Sequence, residues 1–250
     1  REWTSIPGSG ISDIPFGGNN GNLRLRGKNL YGTAANGAYY ATISFTSDDT
    51  SAKVACTGDI RTLLDYENYN TVNTSNARFC RLFNTCTQLT SAPDLPATTL
   101  ADCCYSYMFN GCTSLTTAPE LKAETLAYSC YSSMFKGCTS LTTAPELPAL
   151  TLAACCYWAM FKDCTKLESV TMLAIDGFDT IYCLTDWLNN AGTDTSVNWK
   201  TLKILSDFVY KDIESTLPDN WNAKTSSKVT ILDKDDADIT QDATLSSTAP

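Results

Sequence analysis

Four cysteines fall at one fixed spacing: Cys86, Cys112, Cys138 and Cys164 are each 26 residues apart. Cys104, Cys130 and Cys156 form a second file with the same period. Thiols at regular intervals can bind zinc, close disulfides or simply fill a core. Zinc sites of the usual kind need CxxC pairs or histidine, and this chain has neither. Disulfides between neighbouring units would lie within Cα reach, and an exported protein could keep them. The spacing favours the third use, buried free thiols acting as small apolar side chains, and leaves the other two open. Ser129 replaces the first member of the vicinal pairs Cys103-Cys104 and Cys155-Cys156, so that position does not require sulfur.

Asp94, Glu120 and Glu146 recur at the same offset. They would line one edge as a file of like charges, which repel at such spacing. The file reads either as a solvated edge or as a surface for a basic partner or a cation. Tyr105, Tyr131 and Tyr157 form a third file, expected to pack in the core. Trp158 stands where Ser106 and Ser132 stand in earlier units, and its angle makes it an exposed interaction anchor or a cover for the end of the array. The acidic run Asp233-Lys234-Asp235-Asp236-Ala237-Asp238 lacks the glycine and the terminal glutamate of a calcium loop. Histidine is absent, which removes the commonest general base and metal ligand. No catalytic residue, cofactor or metal is expected, and acidic pairs suited to glycoside hydrolysis have no fixed partners.

The elements that would position these residues follow from the repeat. Phe83, Phe109, Phe135 and Phe161 share the 26-residue offset with Leu89, Leu115, Leu141 and Leu167. In Thr99 to Phe109, Leu100, Cys104 and Met108 are spaced by four, with Ala101, Tyr105 and Phe109 beside them. On a helix these fill one half of the circumference and leave Asp102, Ser106 and Asn110 outside. Thr98 or Thr99 would cap the start, and Gly111 or Gly137 would end it in a left-handed conformation. The other half, Cys112 to Leu121, is rich in Thr and Pro and reads as a short strand and turn. Such units bury their apolar faces only by stacking. The expected fold is α/β, a leucine-rich-repeat solenoid of 26-residue helix-plus-strand units with a parallel sheet and a small N-terminal β cap.

The cap, residues 1–65, contains alternating runs at Asn22 to Arg26, Tyr40 to Thr46 and Ala52 to Cys56. These read as antiparallel strands, with turns at Gly17 to Gly21 and Ala35-Asn36-Gly37. The solenoid would cover 66–192. Cys183 lies 26 residues after Tyr157 and Trp187 lies 26 after Phe161, which marks a degenerate closing unit at about 168–192. A capping segment, 193–232, would hold a strand or short helix at Leu202 to Tyr210 and a turn with an aromatic anchor at Pro218-Asp219-Asn220-Trp221. Residues 233–250 read as a flexible acidic tail.

With a net charge of −9, the chain has no basic face for nucleic acid or for anionic lipid. Arg1-Glu2-Trp3 begins no signal peptide, and no apolar run spans a membrane. The run Met134-Phe135-Lys136-Gly137-Cys138-Thr139-Ser140-Leu141-Thr142-Thr143-Ala144-Pro145-Glu146-Leu147 resembles the BspA-like leucine-rich repeats of bacterial surface proteins, across about residues 79–167. Leu25-Arg26-Gly27, Gly58-Asp59-Ile60 and Thr185-Asp186-Trp187-Leu188 resemble segments that bracket such arrays in anaerobic gut bacteria. The resemblance implies a secreted or cell-surface, monomeric protein that binds a host or bacterial surface protein in adhesion, without catalysis. A spacer with no ligand and a carbohydrate-binding module are the alternatives. Asp94, Glu120, Glu146 and Trp158 are the candidate interaction surface.

Overall fold

The computed structural model of the chain describes residues 11, 14–35, 39–49 and 51–245. Arg1-Glu2-Trp3, Asn36 and Gly37 of the expected cap turn, and residues 246–250 of the expected tail lie outside the described residues.

The 26-residue units do stack, but the helix-plus-strand leucine-rich-repeat solenoid is not what forms. Where a helix was expected, the backbone runs as consecutive tight turns. Cys103 (φ 57°) and Tyr107 (φ 56°) adopt the left-handed conformation, as do Ser129 and Ser133, and Cys155 and Ala159, in later units. The N–H groups of Cys104, Ser106, Met108 and Asn110 donate to the carbonyl three residues back, at 3.1–3.2 Å. Those of Tyr105, Tyr107, Phe109 and Gly111 leave the unit and donate to Cys130, Ser132, Met134 and Lys136 of the next, at 2.7–2.9 Å. Every second backbone donor is therefore spent between layers, which an α-helix cannot do. A left-handed non-glycine residue costs about 1–2 kcal/mol, and the inter-layer bonds, each contributing about 0.5–1.5 kcal/mol, offset that strain.

The opposite side of each layer is nearly as irregular. Ser91 pairs with Thr117, Leu95 with Leu121 and Thr99 with Thr125 as single parallel bridges, not as strands. Continuous pairing occurs only at the two ends. β1 (Val54–Ala55) lies parallel to β2 (Leu89–Ser91), while β3 (Ser169–Thr171), β4 (Lys200–Lys203) and β5 (Val229–Leu232) form a three-stranded parallel sheet in chain order.

The antiparallel β cap is likewise corrected. Asn22 to Arg26 forms no strand, and Tyr40 to Thr46 contributes one antiparallel bridge, Ala34 to Tyr40. Instead the N-terminal region lies on the first layer as irregular backbone. Ile43 N–H donates to Leu82 O at 2.7 Å, and Gly27 N–H to Thr62 O at 2.9 Å. A Cβ at Gly27 would sit 2.2 Å from the Leu63 carbonyl oxygen, so only glycine fits this approach.

The core is a set of files running through the layers. Phe83, Phe109, Phe135 and Phe161 stack with ring centroids 5.7 Å apart and planes within 11° of parallel. Phe79, Tyr105, Tyr131 and Tyr157 stack beside them at 5.9–6.1 Å. Leu, Met and Cys files complete the interior.

In the closing unit the register slips by one residue. Tyr157 N–H donates to Cys183 O, and Phe161 N–H to Trp187 O. The equivalent bonds of the preceding layer go to Cys156 and Met160. Cys183 thus continues the Cys104 file, and Trp187 takes the Met place rather than the Phe place. Beyond it, α1 (Asp207–Ile213) is an amphipathic helix of about two turns with Val209, Tyr210 and Ile213 buried and Lys211 paired with Asp207 at 3.3 Å. The turn at Pro218 to Trp221 buries the Trp221 ring, whose Nε1 donates to Ala191 O at 3.0 Å. The segment after 232 does not trail away. Ile239 N–H donates to Ile231 O, Thr240 Oγ1 accepts from Ile231 N–H, and α2 (Thr240–Thr244) buries Ala243.

Candidate functional site

The thiol files are structural. Cys112, Cys138 and Cys164 each donate from Sγ to the carbonyl of Phe83, Phe109 and Phe135 one layer earlier, at 3.0–3.1 Å, and Cys86 donates to Ile43 O. A cysteine suits this place because it is small and still carries a donor that reaches a carbonyl otherwise used by one backbone N–H. All twelve cysteines are free. Burial pushes Cys86, Cys104, Cys130 and Cys164 up to about 12 and drives Cys112, Cys138 and Cys156 in the same direction. Such thiols are poor nucleophiles and poor metal ligands. Among the described residues, no group of three or more Cys, Asp or Glu is arranged to hold a metal ion.

The carboxylates behave as an edge. The Leu95–Leu121 bridge puts Asp94 and Glu120 in adjacent layers, and the Asp59–Asp94 bridge adds Asp59 to the file. Asp94, Glu120 and Glu146 are all exposed. The file carries its own cations: Lys122 lies 3.1 Å from Glu120, and Arg61 grips Asp59 with bonds of 2.7 and 3.1 Å, which raises the Arg61 pKa. Asp236, in the acidic run near the C-terminus, is paired with Lys203.

The Tyr file is wholly interior. Burial lifts the pKa of Tyr105, Tyr131 and Tyr157 well above the usual phenol value, and the Tyr157 hydroxyl has no hydrogen-bond partner. Ser106 and Ser132, expected outside, are buried, with Ser106 Oγ donating to Ser132 O. The helical angle misplaced them because successive turns, not helical steps, set their direction. Trp158, in the same file, is 36% exposed.

A polar groove of about 340 Å³ lies between Thr185, Asp186 and Asn189 on one side and Ser215 to Pro218 on the other. Its carboxylate is already held by Lys162 at 2.8 Å and Asn189. The groove offers no free charged group.

What distinguishes one region of the surface is a corner that none of the expected site residues marks. Tyr128, Leu150, Ile175, Ile181 and Tyr182 are each at least half exposed. They sit in three successive layers. Ile175 N–H donates to Leu150 O, while Ser129 and Cys155 donate to Ala154 and Ile181 and so place Tyr128, Ala154 and Ile181 in one file. The Cys155 thiol beside Tyr128 raises the phenol pKa. Half-buried Leu126, Ala153 and Phe178 link this surface to the core. The only sequence signal is departure from the repeat: Asp102 and Ala154 stand at the Tyr128 position, and Thr98 and Glu124 at the Leu150 position.

No family model matches the chain, and neither a curated protein nor a solved structure matches it.

Proposed function

We propose that the chain is a non-catalytic recognition module that binds a protein partner, in a protein that is secreted or carried on the cell surface. The observation that carries this reading is the exposed apolar corner at Tyr128, Leu150, Ile175, Ile181 and Tyr182. The preceding layers fill the Tyr128 and Leu150 positions with Asp102, Thr98 and Glu124, so stacking does not call for large apolar groups there. Large exposed apolar side chains with tyrosine among them, gathered in successive layers, have the composition of interface cores. Trp158 belongs to the same layers and supplies a further aromatic anchor. The repeated files beneath serve as a rigid support. No helix among the described residues is long and apolar enough to cross a membrane.

Binding to an immobilised panel of extracellular matrix and cell-surface proteins tests this. A panel member is expected to bind with a Kd of about 1 μM, weakened about ten-fold or more by Tyr128→Ala combined with Ile181→Ser. A panel that stays empty, or binding untouched by the double substitution, overturns the recognition reading in favour of a spacer without a ligand.

A further inference from the structure

The apolar corner has a charged frame, and the frame is predominantly acidic. Between Lys166 and Lys200 the chain carries Glu168, Asp176, Asp179, Asp186 and Asp194 and no basic residue. Asp176 follows Ile175 directly and bridges to Thr151 beside Leu150, and Asp179 lies two residues from Ile181. Glu124 is exposed at the Leu150 position one layer earlier, and the exposed Asp102 accepts the Tyr128 N–H at 3.1 Å. The cations on these layers are already engaged: Arg78 donates to Asp102 O at the margin of the frame, Lys122 pairs with Glu120, and Lys162 pairs with Asp186. All six arginines of the chain lie within its first 81 residues, so none belongs to the layers of Leu150, Ile175 and Ile181 in sequence.

We infer that the corner accepts a segment of a partner protein in which apolar anchors are flanked by lysine or arginine, an inference that rests on the recognition reading above. The anchors cover Tyr128, Leu150, Ile175 and Ile181, and the basic side chains meet Glu124, Asp176 and Asp179. Complementary charge of this kind raises the association rate and selects among partners, while the apolar contact holds the complex. An acidic or neutral apolar segment would bring its own carboxylates, or nothing, against three uncompensated ones.

The test uses fluorescence anisotropy with a labelled amphipathic peptide of Leu and Lys and its Leu and Glu counterpart, on the intact chain. The Lys peptide is expected to bind about ten-fold or more tighter than the Glu peptide, and to weaken about ten-fold at about 1 M salt, where the Debye length is about 3 Å. Glu124→Gln with Asp176→Asn and Asp179→Asn is expected to weaken it about ten-fold. The same charge change at Asp212, Asp219 and Asp235 should leave it within about two-fold. Equal loss in both variants would mean that net charge alone attracts the peptide and would overturn the inference. Equal binding of both peptides would overturn it as well, and would leave the recognition reading standing if the panel protein still binds. A sedimentation dimer lost on Ile181→Ser would identify a second copy as the occupant and overturn the choice of partner. Thermal melts of each variant establish that the fold is retained.

Discussion

From Phe79 to Glu124 the layers repeat their interior and their surface together; from Tyr128 to Tyr182 they keep the inter-layer hydrogen bonds and change the surface. In the first region the side chains that recur, the Phe, Tyr, Cys, Met and Leu files, are buried, and what faces water is Thr, Asp and Glu. In the second, Tyr157 and Phe161 still donate to the next layer, yet Leu150, Ile175, Ile181 and Tyr182 face outward. The backbone arrangement is thus separable from the surface it carries. Stacking constrains two or three positions in every four and leaves the rest for recognition.

The largest effect should appear on raising pH, and it comes from the interior that both regions share. The buried thiols that run through both regions have folded pKa values near 12 for Cys86, Cys104, Cys130 and Cys164, against about 8.5 in an unfolded chain. Because the folded values are raised, the stability that these thiols contribute is complete below the unfolded pKa and is lost as pH rises through the folded one. Each thiol removes about 1.4 kcal/mol per pH unit over that window. Denaturant titrations from neutral pH upward are expected to show a steep fall beginning near pH 9 and unfolding well before pH 12. A stability that is flat up to pH 11 would mean that the thiols are not buried in solution.

Next in size is the cost of breaking a file. Phe135 stacks on Phe109 and Phe161, and Phe135→Ala should lose about 3–5 kcal/mol in chemical denaturation. The surface substitution Ile181→Ser should change stability by about 0.5 kcal/mol or less while weakening partner binding. The contrast fails if the two changes cost the same.

The smallest effect sharpens the picture of the interior. Tyr157 is buried, its hydroxyl lacks a partner, and the same file begins with Phe79. Tyr157→Phe is expected to raise stability by about 1 kcal/mol, since the desolvation cost of an unpaired hydroxyl disappears. A loss of stability would reveal an unseen partner for that hydroxyl.

The sequence made the stacking legible and the backbone illegible, for one reason. Leu100, Cys104, Met108 and Cys112 keep a spacing of four across the whole segment, and an i, i+4 spacing reads as helix over two turns. A helix advances 400° in four residues, so a strict period of four drifts by 40° each time. The turn run repeats every four residues with a left-handed member at Cys103, Tyr107 and Gly111, so it holds Leu100, Cys104 and Met108 in line. The strict four was the clue, and Gly111 and Gly137 (both φ 73°) were its visible part. Ser106 and Ser132 were misplaced by the same error. The one-residue slip that puts Trp187 in the Met file arises from extra residues around Gly177 to Thr180, which no spacing count from Phe161 could detect. Asp94, Glu120 and Glu146, singled out by the repeat, are exposed. The corner was missed because Tyr128, Leu150 and Ile175 read individually as ordinary apolar residues, and only their exposure sets them apart.

The fold-back after β5 has a consequence for the molecule as a population. A pile of layers joined by parallel backbone bonds is, at its last layer, a template on which any further chain could deposit. Here part of that template is occupied from within: the backbone at Ile231 is taken by Ile239 and Thr240, Asp233 N–H by Ala237 O, and Leu232 bridges to Asp238 in the antiparallel sense. The reversal of direction matters as much as the pairing, because an antiparallel strand ends a parallel series. A protein built by addition thereby covers the sheet side of its last layer with its own backbone.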